Sequence, residues 1–263
     1  MMRMTQATFV AFVLIAPILA GAAYGQSAPS TAEERQDLDK VHYQDCMSLA
    51  LSHPKSALDG AKTWEGVGGG APARHCALSA LMQLGRYEAA ARGLAKLSQE
   101  VQANTTFKTQ LMLQSGAAWF RADKPDQTRR LADQVLALEP DNLKALLLRA
   151  KVLGSVGKFW EAADDLTRIL YSESENVDAL ILRGSAYRHM GAQDLALKDI
   201  TRALSLDGNN PDGLLEHGLV LQNLGDLAAA KTAWQALIKA HPNDEASQRA
   251  QSYLDKRKAV VQP

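Results

Sequence analysis

The feature that most constrains this chain is a period of 34 residues. Four segments follow one another without a gap: Thr109 to Asn142, Leu143 to Asn176, Val177 to Asn210 and Pro211 to Asp244. A fifth, Ala71 to Asn104, precedes them, and only Thr105 to Lys108 interrupt the period. Each segment reads as two helices joined by a tight turn. In Leu143 to Asn176, Ala150 and Ala162 are small where the two helices meet, Gly157 falls where the first must end, and Phe159 and Ile169 follow at helical spacing. Across the five segments the meeting point is Leu78, Gly116, Ala150, Gly184 and Gly218, facing Ala90, Thr128, Ala162, Ala196 and Ala230. Small side chains there let helix axes approach closely. The turn holds Gly85, Asp123, Gly157, Gly191 and Gly225, because a helix that ends in a left-handed residue favours the absence of a Cβ. Asp123 is the exception.

This pattern resembles the tetratricopeptide repeat, in period and in the position of the small residues. The resemblance implies an all-α fold, a right-handed superhelical solenoid of stacked hairpins that serves as a binding scaffold rather than an enzyme. It is carried by residues 109–244, while in 71–104 it rests mainly on the run LGRYEAAA. The second helices are expected to bury Leu94, Ala132, Leu166, Ile200 and Trp234, then Leu97, Val135, Ile169, Ala203 and Leu237. The family's proline at the repeat end is present as Pro140 and Pro242.

The family's concave face is lined by the second, fifth, ninth and twelfth to thirteenth positions of each first helix. The fifth positions here are Leu113, Leu147, Ile181 and Leu215, and the ninth are Ala117, Lys151, Ser185 and Leu219. Arg121, Arg188 and His189 add positive charge. The resemblance therefore implies a protein or peptide partner, an extended or helical segment with apolar anchors and some acidic residues. Packing between repeats is the competing reading of the same stripe. The family's clamp for acidic C-terminal tails uses Lys and Asn at the fifth and ninth positions, and this chain departs from it in every repeat.

The chain opens MMRMTQATFVAFVLIAPILAGAAYGQ, a cation before an apolar run and then small residues. This reads as a secretory signal peptide over residues 1–25, cut after Gly25 or alternatively after Ala22. The run is shorter than the ~20 residues that cross a bilayer, and Pro17 weakens a long helix. A periplasmic or secreted location in a bacterial cell envelope is expected, with no membrane span after processing. Residues 26–70 read as a short arm followed by a degenerate hairpin. Its first helix runs from Ala32 to Ser52 and buries Leu38, Val41, Cys46, Leu49 and Ala50, and its second starts at Pro54 and carries Ala57, Ala61 and Trp64. A final helix capped by Asn243, with Ala246, Ala250, Tyr253 and Leu254 on one side, closes the stack over residues 245–263.

Composition excludes some chemistry. Lys and Arg number 29 against 29 Asp and Glu, so the basic excess of a nucleic-acid binder is missing. The glycines of Gly66 to Pro72 follow a helix rather than a strand, which argues against a dinucleotide loop, and no phosphate-loop lysine follows them. The six histidines form no recognisable triad. No cofactor is implied. Arg149 with Asp165 and Arg183 with Asp199 recur at one 16-residue separation, as structural ion pairs do. Cys46 and Cys76 are the only cysteines, and export favours a disulfide between them. The alternative is a metal-binding or redox role for His42, Cys46, His75 and Cys76, although neither half has a short Cys-x-x-Cys clip.

Overall fold

The computed structural model describes residues 32–101 and 105–261, so the leader and its processing point lie outside the described residues. The described residues form thirteen α-helices and no strand. They pair in order as α1 (Ala32–Ser52) with α2 (Pro54–Gly66), α3 (Gly70–Gln83) with α4 (Tyr87–Glu100), and α5 (Thr105–Arg121) with α6 (Pro125–Leu138). Next come α7 (Leu143–Ser155) with α8 (Phe159–Ser172), α9 (Val177–His189) with α10 (Gln193–Leu206), and α11 (Pro211–Asn223) with α12 (Leu227–Ala240). A last helix, α13 (Glu245–Val261), packs on α11 and α12. Every pair contacts the next, which makes a linear stack.

Local chemistry sets the helix ends. At the start of α7, α9 and α11 the side chains of Asn142, Asn176 and Asn210 accept from the backbone N–H three residues on, at 3.0, 2.9 and 3.1 Å. Each Asn also donates to the acid three residues before it, Glu139, Glu173 or Asp207, so the cap is held from both sides. From the α3/α4 pair onward the turn residue between paired helices is left-handed, and Asp123 adopts φ 54° where the other four place glycine, whereas α1 and α2 are joined through His53 at φ −137°. The four residues that interrupt the period do not form a loop. They extend α5 by one turn at its N-terminus.

The close approach of paired helices is visible at Gly184, where a Cβ would lie 2.8 Å from Ile200 Cδ1 and 3.3 Å from the Ala196 carbonyl. In α3 the bulky Leu78 occupies that position, and the space is recovered on the opposite helix by Gly93, whose missing Cβ is filled by Leu78 itself. The degenerate hairpin thus swaps the large and small partners. The interior is Ala- and Leu-rich, with all ten expected second-helix positions nearly inaccessible to solvent. One continuous apolar core runs from Met112 to Val220, and a separate one around Trp234 joins α11 to α13.

Two sequence expectations need correction at the ends. Among the described side chains of α1 only Ala50 is fully buried, with Cys46 and Met47 partly so, whereas Leu38, Val41 and Leu49 stand 48%, 51% and 37% exposed. With no described helix before it, α1 is covered on one side only. At the other end Asp244, not Asn243, caps α13, its carboxylate accepting from Ala246 N at 2.7 Å.

Candidate peptide-binding face

The first helices of successive pairs, α5, α7, α9 and α11, bring Leu113, Leu147, Ile181 and Leu215 to equivalent places, as a 34-residue period must. Their surroundings differ. Leu113 and Leu147 are partly buried and line a depression of about 630 Å³ with Ala117, Leu148 and Lys151. Ile181 and Leu215 are 5% and 1% exposed, Ile181 belonging to the central core and Leu215 to the core around Trp234, and both line a second depression of about 300 Å³. Lys151 borders both. The stripe is therefore open to a ligand at its first half and part of the core at its second.

Charge is divided the same way. Glu139, at the edge of the first depression, is held by Thr109 Oγ1 at 2.9 Å and Asn142 Nδ2 at 2.6 Å. Lys144 and Lys151 are the cations of that depression. The second depression is walled by Asp178, Asp212, Glu216 and Arg249. Burial, then the neighbouring carboxylates of Asp244, Asp178 and Glu216, push the Asp212 carboxyl above its ordinary range, opposed by Arg249. Arg188 does not offer its charge to a ligand as expected. Its Nε donates to Glu216 at 2.8 Å with both side chains nearly buried, which neutralises the pair. His189 stacks on Phe159 with ring centres 4.4 Å apart, and burial and the Arg188 charge hold it below the ordinary histidine pKa. At neutral pH it adds no positive charge.

On the opposite side of the first helices, arginines join adjacent repeats. Arg149 donates two hydrogen bonds of 2.7 Å to Asp165 in α8 and one of 2.9 Å to Asp133 in α6. Arg183 repeats the arrangement, with Asp199 in α10 at 2.7 and 2.9 Å and Thr167 in α8 at 3.2 Å. These bonds hold both guanidinium groups firmly protonated. One period further on stands His217, and one period earlier Ser115. The ladder spans three second helices and stops. Sequence spacing identified the partner in the same repeat, but the link to the preceding repeat needed the stacking geometry.

The amino-terminal His and Cys cluster resolves into separate contacts. The Cys46 and Cys76 sulfurs lie at bonding distance, with Cα atoms 6.0 Å apart, tying α1 to α3. His75 is fully buried and uses both ring nitrogens: Nε2 donates to Gln114 Oε1 at 2.6 Å, and Nδ1 accepts from the Tyr43 hydroxyl at 2.6 Å. Burial holds its pKa below the ordinary value and holds that of Tyr43 above, which keeps the ring neutral and the phenol a donor. His42 instead lies edge-on to Trp64. The four side chains do not converge on a point, and no group of three potential ligands capable of holding a metal occurs among the described residues. That corrects the metal alternative.

The face and the hairpin geometry can be set beside known proteins. Family models described as tetratricopeptide repeat match residues 147–211 and 212–244. The chain carries tetratricopeptide repeats. No curated protein matches it in sequence. Among solved structures it is similar to MamA 41-end from Desulfovibrio magneticus RS-1, with a TM-score of 0.56 at 17% identity, covering 70% of this chain and 97% of that one. It is similar also to a tetratricopeptide repeat protein from Parabacteroides merdae ATCC 43184, with a TM-score of 0.55 at 20% identity, covering 70% and 77%. A third is TTC0263, a thermophilic TPR protein of Thermus thermophilus, with a TM-score of 0.56 at 17% identity, covering 66% and 93%. At these identities the likeness is one of fold, and it agrees with the right-handed α–α superhelix expected from the period. The tetratricopeptide repeat is a fold of protein–protein interaction scaffolds, and that coarse role applies here.

Proposed function

We propose that this tetratricopeptide-repeat protein is an exported, non-enzymatic scaffold of the bacterial cell envelope that binds a segment of another protein in its concave face. The observation that carries the proposal is the depression of about 630 Å³ between α5 and α7, where Leu113 and Leu147 remain partly accessible beside Lys144 and Lys151. Apolar anchors flanked by cations fit a peptide with apolar side chains and at least one carboxylate. Export rests on the leader sequence, and it accords with a disulfide between Cys46 and Cys76.

No step of covalent chemistry is needed for this role. The site works by shape, apolar contact and two ammonium groups, and a few anchors would supply most of the affinity. A photo-crosslinking residue at Gln110, which lines the depression, tests it against one at Tyr171, which is 93% exposed and lies outside it. In cells, the Gln110 probe should capture a defined partner that Leu147→Asp removes. Capture from Tyr171 alone would move the interaction to another surface. Ile181 is unsuitable for such a test, since an aspartate in that core position would disturb folding before binding.

A further inference from the structure

The two ends of the stack differ in a way the concave face does not explain. A linear array needs polar outer faces on its terminal elements to stay separate in solution. At the carboxyl end this holds. Helix α13 buries Ala246 and Ala250, lays Tyr253 on Trp234 with ring centres 5.3 Å apart, and turns Gln248, Gln251 and Ser252 outward. At the amino end it does not hold. Leu38, Val41 and Leu49 are substantially exposed on α1, and they recur at steps of three and eight residues, on one side of the helix. The position between them on that side, four residues from Val41 and four from Leu49, is Asp45, exposed and without an ion-pair partner among the described residues. A carboxylate centred in an apolar stripe suits a surface that carries both apolar groups and cations.

The chain itself supplies such a surface. Beyond Leu254 the sequence of α13 continues DKRKAVV, three cations followed by Ala259, Val260 and Val261. The opposite charge prevails on α1, where five carboxylates stand against two cationic side chains. We infer that the exposed stripe of α1 docks the end of α13 from a second copy, so that the solenoids join head to tail. The contact is heterologous: each copy uses its amino end once and its carboxyl end once. The apolar stripe of Leu38, Val41 and Leu49 receives that end, and Asp45 pairs with Lys256. The exposed side of α1 becomes the acceptor of the next stack.

Sedimentation velocity of the purified protein over a wide concentration series is the test. The expected result is a mass average that rises through dimer and beyond, because an open contact leaves both outer ends free. Val41→Asp, at an exposed position, should weaken association about tenfold or more while leaving helicity and melting unchanged. The pair Lys256→Glu and Lys258→Glu should weaken it and remove its salt dependence, and adding Asp45→Lys to that variant should restore it. A monomer at every concentration overturns the inference. So does a ceiling at dimer that is insensitive to the α13 charges, which would mean that α1 stripes pair with each other.

Discussion

The hairpins α7 to α10 and the group α1 to α3 are built from the same element, two antiparallel helices, yet they are held together by different means. In α7 to α10 the period is regular, and cohesion comes from devices that repeat with it: small residues at the crossing, Asn caps, and the Arg149 and Arg183 bridges to the neighbouring helices. In α1 to α3 the pattern is degraded and buried apolar groups are few and small, Ala50, Ala57, Ala61 and Ala80 among them. There the stack relies on single, unrepeated links, the Cys46 and Cys76 contact and the chain Tyr43, His75, Gln114. The contrast teaches where redundancy lies. A repeat shares its load with its neighbours, whereas a degenerate end concentrates it in a few bonds.

The largest test of that contrast removes the covalent link. As a disulfide, Cys46 and Cys76 would close a loop over a sequence separation of 30. Cys46→Ala with Cys76→Ala, or reduction by a dithiol, should cost roughly 3 to 4 kcal/mol in the chain-entropy account. Hydrogen exchange should show the loss in α1 to α3, with α7 to α10 unchanged. Non-reducing peptide mapping of the exported protein gives the matching chemical check, and free thiols there would remove the cross-link.

Next in size is the bridge at Arg149. Arg149→Met leaves Asp165, whose side chain is 3% exposed, without its cation, and should cost about 2 to 3 kcal/mol, somewhat less than a fully buried pair because Arg149 itself is a quarter exposed. The double variant Arg149→Met with Asp165→Leu should recover most of the loss. Chemical denaturation of the single and double variants decides it. If the single variant costs nothing, the ladder joins the repeats only on paper, and apolar packing alone carries the regular region.

How much of this was legible in the sequence follows the same division. The period located the helices, the glycine turns and the core positions of residues 109–244, because a repeated unit shows each constraint several times. At Leu78 the first segment departs from the small-residue pattern of the crossing, and Gly93, fifteen residues on, is the visible signal of its compensation. Spacing in α1 predicts a buried stripe that the structure exposes, since helical spacing reports that apolar residues share a face but not whether a neighbour covers it. Periodicity likewise assigned Leu113, Leu147, Ile181 and Leu215 to one stripe. It could not separate the accessible pair from the buried pair, because that depends on side chains from the adjacent repeat. The partnership of Arg188 with Glu216 was hidden for a related reason: its 28-residue separation joins the end of one first helix to the middle of the next.

Overpacking provides a smaller and sharper comparison. Gly184→Leu must displace Ile200 and the Ala196 backbone, and should cost about 2 kcal/mol. Because repeats couple through their neighbours, protection should fall first in α9 and α10, then in α8 and α11, before either end of the stack. Gly93→Ala makes the parallel change in the degenerate hairpin, where Leu78 would have to move, and its effect should stay within α3 to α5. A uniform loss over the whole chain in either variant would show a single cooperative block in place of a graded array.

The smallest expected effects are those of pH, and they act on single side chains rather than on whole repeats. His75 is held neutral, with its folded pKa below the ordinary value of about 6.5. The unfolded chain therefore binds the extra proton more readily, so the stability from this site is fully present above about pH 6.5 and is lost as pH falls below it through the folded pKa. Asp212 behaves oppositely. Its folded pKa is raised, so its cost is present at neutral pH and is relieved as pH falls through the folded pKa toward the ordinary carboxylate range. This side chain is exposed, so solvent screening keeps the effect small. Hydrogen exchange at pH 7 and pH 5.5 should thus show protection falling around α1, α3 and α5, where Tyr43, His75 and Gln114 meet; around α9 and α11 the lowered pKa values of His189 and His217 act in the same direction and Asp212 opposes them. His75→Gln should flatten the first response, and Asp212→Asn should slightly raise the stability of the second region at neutral pH. An acid response around α1, α3 and α5 that His75→Gln leaves unchanged would mean that the buried ring is not the weak point of the amino end, and that the covalent link alone distinguishes it from the regular repeats.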